Sequence, residues 1–99
     1  MDVASRLEAL KEAYPDQGEL EVVVGKLVDV ALHRYRQRLG RYANDLRQFE
    51  QRYGFDSEVF YHRFEAGELG DATDYFEWAG LYELRRDLLA KIGRLEAAV

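Results

Sequence analysis

The sequence predicts an all-α fold: a long antiparallel helical hairpin, or coiled-coil-like bundle, with a short helix in its connector. Three observations carry this expectation. Between Val28 and Tyr53, apolar and aromatic residues recur in alternating steps of four and three: Val28, Leu32, Tyr35, Leu39, Tyr42, Leu46, Phe49 and Tyr53. A helix gathers such residues on one side, where another helix must cover them. A second run of helical spacing lies near the C-terminus: Trp78, Leu81, Leu84, Leu88, Ile92 and Leu95, widened by Tyr82 and Leu89. Between and before the two runs stand the residues that end helices, namely Pro15, Gly54, Gly67 and Gly70.

Each element follows in order. Asp2 can cap a first helix over about 2–14, with Val3, Leu7, Leu10 and Tyr14 on its apolar side. Pro15 ends it, and Pro15–Gly18 is a turn signal. The segment Leu20–Val24 is β-branched and ambiguous. Without a second strand-like run to pair with, it reads as helix, the alternative being an intermolecular β-pair. The long helix then spans about 19–53, roughly 50 Å of rod, and Gly54 is placed to cap it. Gly25 and Gly40 lie within this helix but off the seam, and each costs roughly 0.5–1 kcal/mol against alanine. Asp56 or Ser57 caps a short helix over 57–66 that sets Phe60 one turn before Phe64. Asp71 or Asp74 starts the last helix, 72–97, with Asp74 and Glu77 at capping-box spacing. The whole chain, 1–99, reads as one domain, without internal repeats or low-complexity tracts.

Composition narrows the role. The 99 residues include seven Tyr, five Phe and one Trp, and the net charge is −5. That balance argues against a generally basic nucleic-acid binder. Cysteine is absent, so thiolate chemistry and disulfides are out of reach. No stretch approaches the ~20 apolar residues that span a bilayer, and the N-terminal run has no signal-peptide core. A cytoplasmic location is the resulting expectation. Eight seam residues at ~1.5–3 kcal/mol each when buried are more than one short chain readily covers, so a homodimer is expected.

Charge falls in blocks. Residues 34–52 carry six arginines against Asp45 and Glu50, a net of +4. Residues 55–83 carry eight acids against Arg63, a net of −7. The simplest expectation is self-complementation, the acidic connector lying along the arginine-rich rod within or between subunits. Arg34, Arg38, Arg41 and Arg52 share one flank, which gives a phosphate-contacting stripe as an alternative.

The sequence offers little reactive chemistry. Glu65, Glu68, Asp71, Asp74 and Glu77 recur every third residue, and paired carboxylates can hold Mg²⁺ in all-α nucleotide hydrolases. Those enzymes need two pairs on facing helices, whereas Glu68 and Asp71 straddle one glycine-punctuated turn. His33 and His62 have no ligand-spaced companion. Ser5 and Ser57 lack a nucleophile-elbow context, and Gly67–Gly70 is too short for a phosphate loop. No cofactor, metal or catalytic residue is expected.

The stretch Phe49–Trp78 has the form F-E-x-x-Y-G-F-x-S-x-x-F-x-x-x-F-x-x-G-E-L-G-D-x-x-D-x-x-E-W. It resembles a signature of small helical bacterial and archaeal proteins that look like the antitoxin half of toxin–antitoxin pairs. The resemblance implies a non-enzymatic protein-binding module that occludes the active surface of a small basic toxin. On that reading Glu68, Asp71, Asp74 and Glu77 supply charge, and Tyr75 and Trp78 anchor the partner. The same residues also have a purely structural reading: glycines 67 and 70 make a turn with positive φ, Leu69 plugs the core and Trp78 fixes the next helix. Two other roles stand beside the antitoxin reading: a self-associating structural or adaptor coiled coil, and a Mg²⁺-dependent hydrolase.

Overall fold

Three of the four helices in the computed structural model, which describes residues 2–98, begin on an aspartate. Asp2 precedes α1 (Val3–Ala13), and its carboxylate accepts from the Ser5 amide at 2.8 Å. Asp16 does the same for α2 (Gln17–Tyr53) through Gly18 at 2.9 Å, and Asp56 for α3 (Ser57–Glu65) through Val59 at 2.9 Å. Each satisfies an amide that the first helical turn leaves without a partner. The fourth helix, α4 (Thr73–Ala97), corrects the expectation: it starts after Ala72 with no side-chain cap. Asp74 lies inside its first turn, and its carboxylate is drawn instead to Arg52 and Tyr53. Leu20–Val24 is helical, and no strand occurs among the described residues.

Glycines close the helices where the backbone turns left-handed. Gly54 (φ 80°) ends α2, its amide donating to the Glu50 carbonyl at 2.8 Å. Gly67 (φ 72°) ends α3, with the Gly67 amide on Phe64 and the Glu68 amide on Arg63, the paired bonds of a Schellman motif. Gly70 takes no positive φ, so only one of the two glycines expected to do so needs that freedom.

α2 and α4 lie antiparallel, since Leu46 meets Trp78 and Ala79 while Leu32 meets Leu88 and Ile92. All eight seam residues of α2 are buried or half-buried. The α4 seam departs from expectation in its middle. Leu84 points outward, and the neighbouring Arg85 is half-buried in its stead, its guanidinium 5.3 Å from the Tyr82 ring centre. A long aliphatic stem can occupy an apolar slot while its charge reaches water. The core accordingly splits into two clusters. One is an aromatic head around Leu46, Phe60, Trp78 and Ala79, and the other an aliphatic stretch around Leu32, Leu88 and Ile92.

The molecule measures 59 × 23 × 19 Å, with a radius of gyration of 19.6 Å against about 13 Å for a compact chain of this length. The excess comes from α2, whose 37 residues outrun the 25 of α4. Its first two to three turns, together with α1, form an arm that projects past the hairpin.

Candidate functional site

The head is built around Trp78, which is 0% exposed. Phe60 stacks on it with centroids 3.8 Å apart and planes 4° from parallel. Phe49, Tyr53 and Phe55 surround the same indole at 5.3 to 5.7 Å. A buried indole N–H needs an acceptor, and Ser57 supplies it: Trp78 Nε1 donates to Ser57 Oγ at 2.9 Å. Ser57 Oγ donates onward to Glu50 Oε2 at 2.8 Å, which also accepts the Ser57 amide at 2.8 Å. Because Asp56 takes the capping role, the Ser57 hydroxyl is available to bridge α2 and α4.

A second polar node closes the head from outside. Tyr53 Oη and Arg52 Nη1 both donate to Asp74 Oδ2, the latter at 2.9 Å. The tyrosine's hydrogen bond, then the guanidinium, holds the Asp74 carboxyl below its ordinary range. On the far side Tyr61 stacks on Tyr82 at 4.3 Å and donates to Glu83 Oε1 at 2.7 Å. That carboxylate pushes the Tyr61 phenol up to about 12.

These contacts redistribute the residues expected to bind a partner. Trp78 is not available as an anchor, because the protein's own rings enclose it completely. Tyr75 is half-buried and packs 5.7 Å from Phe60, and Asp74 is engaged within the chain. Glu68, Asp71 and Glu77 remain exposed and form no ion pair among the described residues. Glu58 and Glu65 join them on the head's surface, as does Phe76. Glu50 escaped sequence reasoning as a site residue, although it stands beside Phe49 in the signature. The signal was its pairing with Ser57 seven residues on, across a glycine-capped corner.

Self-complementation of the charge blocks is limited to one pair. Arg52–Asp74 is the only bridge between them among the described residues, and Arg36 pairs instead with Glu96 at 3.7 Å. Six arginines spaced over five turns of a straight rod cannot all reach a connector folded at one end of it. Arg34, Arg38 and Arg41 therefore face solvent without an ion-pair partner among the described residues. With Arg52 committed to Asp74, the expected phosphate stripe loses one of its four members.

The arm is the opposite of the head. α1 buries none of its residues. An apolar cleft between α1 and α2 is lined by Leu7, Leu10, Tyr14, Leu20, Val23 and Leu27. Even with α1 in place, Leu27 is 61% and Val30 53% exposed. Val3, Leu7, Leu10, Val22 and Val24 are also exposed. Seven large aliphatic side chains open to water on the arm and just beyond it amount to roughly a few hundred Å² of apolar surface, about the size at which such a patch marks a contact site.

No three acidic or histidine side chains among the described residues converge on a common point that could hold a metal ion. The regular spacing of Glu65, Glu68, Asp71 and Asp74 spreads them around a turn and a helix start. The open groove lined by Asp45, Gln48, Phe49, Arg52, Glu77 and Leu81 contains no nucleophile beside a base. No described helix is long and apolar enough to cross a membrane. In comparisons with known proteins, no family model, no curated protein and no solved structure matches this chain.

Proposed function

We propose that the protein is a non-enzymatic protein-binding module that acts as an antitoxin-type neutraliser of a small basic toxin. The observation that carries the binding reading is the arm: a helix and the start of another whose apolar faces cover each other only in part. Exposed aliphatic surface on this scale is a standing liability unless a protein partner removes it from water. The rigid head supports the narrower part. It holds Glu58, Glu65, Glu68, Asp71 and Glu77 on its outside, an acidic face suited to steering and seating a basic partner. In this mechanism the toxin's cationic RNA-handling surface is occluded by charge and bulk, without chemistry.

The test is co-expression with the product of the adjacent gene, followed by co-purification and a growth assay. A stable complex and relief of growth arrest are expected, both weakened by Glu68→Lys/Asp71→Lys. Absence of a complex together with absence of rescue removes the antitoxin role. The exposed arm also suits the second reading, a self-associating structural or adaptor protein, which predicts association with no heterologous partner.

A further inference from the structure

The geometry points to a second copy of this chain as the occupant of the arm's open face, with the two arms antiparallel. This deepens the protein-binding reading and rests on it only in taking the arm's apolar face to be one that protein covers. Along α2, Leu20, Val24, Leu27 and Ala31 continue in alternating steps of four and three on a stripe separate from the seam that α4 covers; α1 lies over its start, where Leu20, Val24 and Leu27 line the shared cleft, yet leaves Val24 47% and Leu27 61% exposed. Arg34 and Arg38 carry the same stepping onward. Leu27, Val30, Ala31, Arg34, Tyr35 and Arg38 line one open groove at the end of this stripe.

Charge selects the occupant and its direction. The arm's tip, residues 11–21, carries Glu12, Asp16, Glu19 and Glu21 against Lys11, a net of −3. At the other end of the stripe, residues 34–41 carry Arg34, Arg36, Arg38 and Arg41 with no acid, a net of +4. Of those four, only Arg36 has an ion-pair partner among the described residues. A parallel pair would set tip on tip and arginines on arginines. An antiparallel pair sets each tip against the other copy's arginines, around a shared apolar centre near Leu27. A foreign helix would need the same gradient reversed, whereas a second copy has it by symmetry, as an isologous two-fold interface requires.

The size suffices as well. The stripe from residue 20 to 38 is about 27 Å long, and with α1 along its start the face is about 20 Å wide. That footprint, about 540 Å² per partner, clears the roughly 1,000 Å² in total at which a specific interface begins.

The experiment is sedimentation of the purified chain alone over a wide concentration range, at low and high salt. A dimer is expected, weakened by salt, and weakened by at least about tenfold in Leu27→Glu and in Arg34→Glu/Arg38→Glu. Adding Glu12→Lys/Glu19→Lys to the double arginine variant should restore affinity to within about threefold of the original. All the substituted positions are exposed, so unchanged helical circular dichroism is the control for folding. A monomer at every attainable concentration, a dimer indifferent to Leu27→Glu, or failure of the reciprocal swap to restore pairing each overturns the inference. Co-purification with a heterologous partner is scored separately, so a monomer that still binds a toxin sinks this inference and leaves the antitoxin role standing.

Discussion

At the residue scale the molecule is decided by a few side chains in the head. Ser57 is the clearest, because one hydroxyl satisfies a buried indole N–H and donates to a carboxylate on another helix. Ser57→Ala leaves Trp78 Nε1 without its acceptor in a site closed to water, and should cost about 1–3 kcal/mol in urea unfolding. Trp78→Ala removes the centre of the stack as well and should cost about 3–5 kcal/mol. Tyr61 gives a prediction in pH. Its phenol, raised by Glu83 from 10.0 to about 12, keeps its proton longer in the folded state than in the unfolded chain. The stability it confers is therefore complete below pH 10 and is lost as pH climbs from 10 towards 12. Tyr53 is shifted upward too, by its hydrogen bond to Asp74, so the loss is shared between two phenols. Melting temperatures across that window should fall less steeply in Tyr61→Phe, and tyrosinate absorbance should show a late-titrating group missing from that variant. An identical alkaline slope in both proteins would remove the Tyr61–Glu83 bond as its cause.

At the scale of elements, the sequence was legible wherever local chemistry acts alone. Asp2, Asp56 and Gly54 stop and start helices as their positions imply, and the seam from Val28 to Tyr53 is covered throughout its length. Legibility failed where tertiary contacts compete for a side chain. Asp74 has the spacing of a cap, but a guanidinium and a phenol from α2 offer its carboxylate two donors, outweighing one backbone amide. Leu84 fits a loose helical apolar run, yet strict alternation of three and four from Trp78 through Leu81, Leu88, Ile92 and Leu95 falls on Arg85, and a seam read from apolar residues alone passes over an arginine there. The signature residues Phe49, Glu50, Tyr53, Ser57, Phe60 and Trp78 converge on one head, a grouping that no spacing along the chain discloses. The glycines inside α2 yield a further expectation. A Cβ added at Gly40 meets nothing within 4 Å, and the residue is exposed. Gly40→Ala should therefore stabilise the protein by about 0.5–1 kcal/mol through the entropy of the unfolded chain. At Gly54 the space is equally open but φ is 80°, so alanine there should cost about 1–2 kcal/mol. Paired urea titrations of the two variants would show opposite signs, and a matching sign would mean that backbone conformation is not what separates them.

At the scale of the whole molecule, packing is graded along the rod. The head has four fully or nearly fully buried apolar side chains, locked by stacked rings and the Trp78–Ser57–Glu50 chain. The middle has an aliphatic cluster of three buried residues, and the arm has none in α1. Local opening free energy follows such gradients, since a segment with little buried apolar surface loses little when it detaches. Native-state hydrogen exchange at low protein concentration should therefore separate three tiers. Amides of α1 and of residues 17–27 should exchange at least about tenfold faster than those of residues 32–39. The slowest should be the Trp78 region of α4 and the last two turns of α2. Truncating α1 should leave the head's protection unchanged, because no head residue depends on it. Raising the concentration adds a discriminating readout. If apolar cover on the arm comes from another molecule, protection should grow there and nowhere else, because only the arm gains buried surface on association. Uniform slowing along the rod would instead mean that the chain opens as one cooperative unit, and the division into a rigid head and a poorly buried arm would have no energetic content.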